Sequence, residues 1–288
     1  MLKQRVITAL VLLAVLVPAL LHPNASAFQA LVLLMVAAGG WEWGRLNGLG
    51  QVASWASAAM LAVLGALAWQ QGWLQGHYPL LWLAAGSAWV LGAVWLVRAG
   101  VPAWGRLPLA LRWPVGLLAL ALAGLATVQA RALGVNFLLS VLVLVWVADV
   151  LAYFSGRALG QRFFAVKLAP SISPGKSWEG ALGGALGVVV MALLWVQCDA
   201  AQTPLSLSLY SRLAAGGTGL VVLAALFLAA MSVLGDLVES LIKRSAGVKD
   251  SSQLLPGHGG VLDRIDALLP TLPLAMLLAS YTNTVNIA

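Results

Sequence analysis

Along this chain, long apolar runs alternate with short clusters of Gly, Pro and charge. Runs near 6–21, 28–44, 52–70, 79–97, 113–130, 135–155, 178–197, 213–235 and 265–281 each approach the roughly 20 apolar residues that cross a bilayer as a helix. The pattern predicts an all-α, polytopic integral membrane protein of about nine spans and little else. The first run imitates a signal peptide, with Lys3 and Arg5 ahead of it and Ala25-Ser26-Ala27 after it. Its apolar stretch is long for a cleaved signal, and the span count balances when it is kept, so it is expected to remain as the first helix.

Composition supports the same class. Apolar residues make up 61% of the chain and charged residues 9%, against about 25% charged in a soluble domain. Mean hydropathy is +0.95 over the whole length. Disorder, collagen, coiled coil and a disulfide scaffold are excluded; the single cysteine, Cys198, cannot form an internal bridge.

A net charge of +7 would suit nucleic acid, but the placement of the bases suits a membrane. Lys3, Arg5, Arg45, Arg98, Arg106, Arg112, Arg157, Arg162, Lys167, Lys176, Lys243, Arg244, Lys249 and Arg264 fall in alternate gaps, and only Arg131 and Arg212 in the others. Fourteen bases against two predict the heavy side to be cytoplasmic, with the N-terminus inside and the C-terminus outside. No basic stripe with interleaved aromatics is present, so nucleic acid is not an expected partner. Trp41, Trp43, Trp69, Trp73 and Trp113 sit where interfacial aromatics belong. Residues 1–148 hold one acid, Glu42, whereas 149–266 hold the other eight. The chain is therefore divided into N-terminal membrane helices, 1–134, as a lipid-facing or dimer-forming scaffold, and a catalytic membrane region, 135–288, with cytoplasmic loops 156–177 and 236–264.

Three segments carry chemistry, all on the heavy side. Asp149 and Tyr153 are spaced i, i+4 near the end of an apolar helix, where an acid needs a partner or a wet cavity. A functional acid and a simple pairing with Arg157 weigh equally there. Ser173-Pro174-Gly175-Lys176-Ser177-Trp178-Glu179-Gly180 opens the seventh span and resembles a phosphate cradle at a helix start. Pro170 stands where a Walker loop needs its first glycine, so an ordinary capped helix with a snorkelling lysine remains an alternative. The third segment runs from Gly235 to Asp250 and on through Pro256-Gly257-His258-Gly259-Gly260 to Asp263-Arg264-Ile265-Asp266. On a helix, Asp236, Glu239 or Ser240, and Lys243 share a face; Asp263 and Asp266 share another. Paired carboxylates beside glycine-rich backbone and four bases suit a metal–polyphosphate site, because Mg²⁺ takes oxygen ligands and substrate phosphates.

This third segment resembles the signature of the phosphatidate cytidylyltransferases, or CDP-diacylglycerol synthases, at Ser240, Lys243-Arg244, Lys249-Asp250, His258-Gly259-Gly260 and Asp263-Arg264-Ile265-Asp266. The Ser-Pro-Gly-Lys-Ser-Trp-Glu-Gly segment and Asp149, Tyr153 and Gly156 resemble the family too; Ser252-Gln253 departs from it, where many members have Gly-Asn or Gly-His. The resemblance implies cytidylyl transfer from CTP to phosphatidic acid at the cytoplasmic face of a cell membrane, the inner membrane if the source is bacterial. It implies Mg²⁺ held by Asp236, Asp263 and Asp266, a second cation such as K⁺, and a homodimer among membrane lipids. Lys243, Arg244, Lys249 and Lys176 are expected on phosphates, with Lys243 serving them at little cost to folding when removed. Ser240 and His258 are expected as polar contacts. Ser177, Asp250, Gly259, Gly260, Arg264, Asp149 and Tyr153 complete the expected substrate site. The alternatives are an ion-coupled transporter, which would spread its acids over both halves and both depths, and a cytidylyltransferase or kinase for another lipid.

Overall fold

The structure, a computed structural model, describes residues 2–202 and 204–285; the last residues, where an outside C-terminus is expected, lie beyond the described ones. In chain order the helices are α1 (Leu2–Leu21), α2 (Ser26–Leu46), α3 (Gln51–Gln70), α4 (Pro79–Ala99), α5 (Val101–Arg106), α6 (Leu109–Leu133), α7 (Val135–Leu159), α8 (Trp178–Gln202), α9 (Leu209–Ala214), α10 (Thr218–Ser245), α11 (Leu262–Ile265) and α12 (Leu268–Val285). Among the described residues nine segments are long and apolar enough to cross a membrane, α11 and α12 together forming the ninth, Leu262–Thr282.

Glycines set the two closest helix contacts. A Cβ at Gly184 would lie 2.6 Å from the Ala148 carbonyl, and one at Gly180 would lie 2.8 Å from that of Ala152. Only hydrogen fits there, so α8 packs backbone to backbone on α7, as small residues permit between membrane helices. Likewise a Cβ at Gly44 would lie 2.8 Å from the Ser54 Cα, which seats α2 on α3. Between α6 and α7 the whole reversal falls on Gly134, at φ +138°, a backbone state that side chains exclude. The eighth and ninth spans are the most enclosed, each more than half buried.

Alternate connections meet at one end of the bundle. Thr8 Oγ1 donates to the Pro256 carbonyl at 2.8 Å, and a Cβ at Gly105 would lie 3.4 Å from Ser245 Oγ. At the opposite end Arg131 donates to the carbonyls of Leu20 (2.7 Å) and His22 (3.1 Å).

Three sequence expectations change. The eighth span starts at Thr218 and runs to Ser245, ten residues past the point where the acids end the apolar run at 235. Leu237, Val238, Leu241 and Ile242 keep the buried stripe going while the charges occupy the opposite stripe, so helical period outlasts mean hydropathy. The loop expected from 236 therefore begins only after Ser245. Residues 209–214 form the separate α9. Trp43, expected at the interface, is buried: its Nε1 donates to the Trp113 carbonyl (2.9 Å), and Trp113 Nε1 donates to Ser57 (2.9 Å). Gly116 makes room for the Trp43 ring, so these two indoles fasten helices together.

Candidate active site

Because α10 continues, Asp236, Glu239, Ser240 and Lys243 line one stripe of a rigid helix at i, i+3, i+4 and i+7. Just before them, a Cβ at Gly235 would lie 2.6 Å from the Asp266 carbonyl. That glycine lets the ninth span approach and brings Asp266 over the stripe. One carboxylate oxygen from each of Asp236, Glu239 and Asp266 lies within 4.8 Å of the others. An octahedral Mg²⁺ with bonds of about 2.1 Å needs ligand oxygens roughly 3–4 Å apart, so this donor set fits a hard divalent cation. Asp266 is steadied by the amide of Ala267, which donates to its Oδ1 at 2.8 Å.

Two lysines partner the acids. Lys176, just ahead of α8, forms an ion pair with Asp236, whose other oxygen accepts from Ser240 Oγ at 3.2 Å. The Lys243 ammonium sits between Glu239 Oε2 and Asp263 Oδ1, 2.5 Å from each, and all three side chains are nearly buried. Asp149 faces the same region, acted on by Asp236, Lys176 and Arg264. Five carboxylates thus face three bases, and the excess negative charge is what a bound cation offsets.

Asp263 is held by the turn before it. Its Oδ2 accepts the amides of Ser251 (2.9 Å) and Gly260 (2.7 Å) and the Ser251 hydroxyl (2.9 Å). Gly259 has φ +84°, and a Cβ there would meet that same oxygen at 2.6 Å. The glycines of His258-Gly259-Gly260 therefore serve close approach of backbone to carboxylate.

Among the sequence-derived candidates, the structure gathers Asp149, Lys176, Asp236, Ser240, Lys243, Asp263 and Asp266. Within this group Asp263 belongs with Lys243 and the turn, and Glu239 takes its place beside Asp236 and Asp266. Arg244, Lys249, Asp250 and Arg264 are exposed at the rim, Arg244 donating to the Val248 carbonyl at 3.1 Å. Tyr153 is exposed on α7, and its hydroxyl accepts from Arg157 at 3.2 Å, so Arg157 is engaged there and not with Asp149. Ser177 caps α8 by accepting the Gly180 amide at 3.1 Å. His258 Nδ1 is buried without a hydrogen-bond partner among the described residues. Asp199 lies at the other end of α8, bonded to Asn136, Ser208 and Ser211. Beside it, and lined in part by it, an apolar groove of ≈ 790 Å³ opens between α7 and α8, away from Asp236, Glu239 and Asp266.

Two acids were underrated from sequence. By spacing alone Glu239 is interchangeable with Ser240, whereas in the fold it completes the carboxylate set with Asp236 and Asp266. Glu42, the lone acid of the first half, accepts four hydrogen bonds from the turn: Ser251 Oγ (3.1 Å), Ser252 Oγ (2.5 Å) and the amides of Val261 (2.9 Å) and Leu262 (2.8 Å). Its signal was present, because an acid inside an apolar helix always requires a partner.

A description of the cytidylyltransferase family matches residues 3–282. The phosphatidate cytidylyltransferase of Pseudomonas aeruginosa is 40% identical over 292 residues, covering 95% of this chain and 95% of that protein. The one of Haemophilus influenzae is 36% identical over 297 residues, covering 95% and 96%. The one of Brucella abortus is 38% identical over 242 residues, covering 82% and 78%.

Proposed function

The chain belongs to the cytidylyltransferase family, and from that premise we propose that it converts CTP and phosphatidic acid to CDP-diacylglycerol and pyrophosphate. The observation that carries this reading is the meeting of Asp236, Glu239 and Asp266 with Lys176 and Lys243 in a chain that matches the family from end to end. A phosphate oxygen of the lipid forms a bond to the α-phosphorus of CTP, the bond from that phosphorus to the β-phosphate bridging oxygen breaks, and pyrophosphate leaves with the electron pair. No protein nucleophile is needed. The protein's contribution is to position two anions and to offset their charge.

Asp236, Glu239 and Asp266 would hold Mg²⁺, with Asp263 beside them engaged by Lys243 and the turn, and a monovalent second cation such as K⁺ would be a further occupant. Mg²⁺ would neutralise charge on the CTP phosphates. Lys176 and Lys243 turn from the carboxylates to phosphate oxygens, joined by Arg244, Lys249 and Arg264 at the exposed rim. Ser240 and His258 supply neutral contacts, and Asp250, Ser177, Gly259 and Gly260 frame the entrance. Asp149 and Tyr153 face the lipid side of the pocket. In this proposal the site-bearing end is cytoplasmic, supported by the fourteen bases gathered there, and the bacterial relatives favour the cell's inner membrane. Residues 135–288 carry the chemistry, with 1–134 as the supporting part of a homodimer. Transporter chemistry is not favoured: five of the nine acids, Asp149, Asp236, Glu239, Asp263 and Asp266, collect at one site.

The test uses purified protein in detergent with phosphatidic acid, Mg²⁺ and each of the four nucleoside triphosphates. Lipid-dependent pyrophosphate release with CTP, dCTP being accepted in its place, is expected. Equal turnover with ATP or GTP, or turnover without lipid, would overturn the assignment.

A further inference from the structure

We propose that Glu42 is a positioning residue of this site: from α2, in the half of the chain assigned to scaffold, it holds the turn that presents Asp263. This builds on the function proposed above but assigns a role to a residue outside the acid cluster.

The geometry is specific. Glu42 is fully buried, and each of its oxygens takes two donors. Oε1 accepts Ser252 Oγ and the Val261 amide; Oε2 accepts Ser251 Oγ and the Leu262 amide. Both amides belong to the start of the ninth span, where N–H groups lack partners within the helix. All four donors lie between Lys249 and Asp263, although the bonds span 209 to 220 residues of sequence. The Ser251 hydroxyl stands between Glu42 Oε2 (3.1 Å) and Asp263 Oδ2 (2.9 Å), sharing its single proton between them. From Asp263 the contacts run on through Lys243 to Glu239.

Gly260 closes the junction: a Cβ there would lie 2.0 Å from Ser251 Oγ and 2.3 Å from Glu42 Oε1. The anchor itself is rigid, since α2 is locked on α3 at Gly44 and on α6 through Val36 against Gly124. A helix contact needed only for cohesion would be met by an apolar side chain, which often replaces a buried charge without loss. A carboxylate with four donors instead fixes the direction of four groups. Those groups define where Asp263 points.

The test compares the full-length parent with Glu42→Gln and Ser252→Ala in detergent. Three quantities are measured: kcat and KM for CTP in CDP-diacylglycerol formation, amide hydrogen exchange over 251–262, and thermal unfolding. Gln keeps the volume but turns an NH₂ toward donors. It is expected to lower kcat about tenfold or more per folded molecule, as for loss of a charge-assisted hydrogen bond, with KM for CTP changed far less. Exchange at Val261 and Leu262 should quicken while α3 and α6 exchange as in the parent. Ser252→Ala removes one donor and should shift kcat and exchange in the same direction by less. A lower unfolding temperature with parental kcat per folded molecule would reduce Glu42 to a structural acid and overturn the proposal. Should Glu42→Gln fail to fold, Ser252→Ala decides, and parental kcat with parental exchange at 251–262 would overturn it. A parent that makes no CDP-diacylglycerol counts against the proposed function instead, and the exchange comparison alone then decides whether Glu42 holds the turn.

Discussion

Lys243→Met is expected to cost both stability and turnover. Met retains most of the length of lysine, so the change is chiefly one of charge. In the parent one ammonium serves Glu239 and Asp263 at 2.5 Å each, with side chains 5–11% exposed. Removing one partner of a buried pair costs about 3–5 kcal/mol, which at about 2–4 °C per kcal/mol for a large domain lowers the unfolding temperature by roughly ten degrees. The expectation from sequence, that removing Lys243 leaves folding intact, does not survive its buried position. Turnover at subsaturating CTP should fall roughly ten- to more than a hundredfold as a phosphate contact is lost. Thermal unfolding in detergent, with and without Mg²⁺, separates the two effects. A cation at Asp236, Glu239 and Asp266 restores positive charge beside the bare Glu239, so Mg²⁺ should raise the unfolding temperature of the variant more than that of the parent. Parental stability and parental turnover together would refute the reasoning. Lower stability with undiminished turnover per folded molecule would leave Lys243 a counter-ion and remove it from the phosphate site.

Other outcomes follow from the same geometry. Asp263→Asn should abolish most CDP-diacylglycerol formation across a Mg²⁺ titration, because its amide would face the donors now on Oδ2; Asp250→Asn, on the exposed rim, should lose far less, and equal losses would contradict the distinction. Gly259→Ala, at φ +84° and against Asp263, should destabilise by about 1–3 kcal/mol and lower kcat, read by unfolding and turnover together. Glu179 Oε1 holds the amides of Phe163 and Phe164, so Glu179→Ala should speed tryptic cleavage at Arg162 and Lys167; an unchanged cleavage rate would show that the loop is held otherwise. A reporter fused after Ala288 should lie outside the cytoplasm and one inserted at Ser252 inside; a cytoplasmic C-terminus would break the proposed orientation.

The spans were legible because hydropathy and length depend on composition alone, and the motif from Asp236 to Asp266 was legible because its chemistry is packed into a short stretch. What escaped depended on distance in the chain. Glu42 and Trp43 are neighbours in sequence, one an unexplained acid and the other an apparent interfacial aromatic. Only the fold reveals that the acid meets Ser251 and the indole meets Trp113. Asp263 and Glu239 exchanged places for a related reason: spacing puts Asp263 and Asp266 on one face, but the turn's amides and Lys243 claim the first of them. The end of α10 was misplaced because hydropathy averages over charges that a helix can set on one side.

The long reach from Glu42 to Ser251 also sets an order of assembly. A chain made from its N-terminus places α2 in the bilayer before the residues that satisfy it exist, and at 5–20 residues per second the 209-residue gap lasts on the order of 10–40 s. Throughout that interval Glu42 lacks all four of its donors, with Arg45 the one other charged residue of α2, until the turn and the start of the final span emerge. Chains truncated before Ser251 should therefore be degraded faster in cells than the same truncations carrying Glu42→Leu, and equal lifetimes in a pulse-chase would show that the unfinished state goes unrecognised. Faster loss of the truncated parent would make the acid that orients the finished site also a signal of whether the chain is finished.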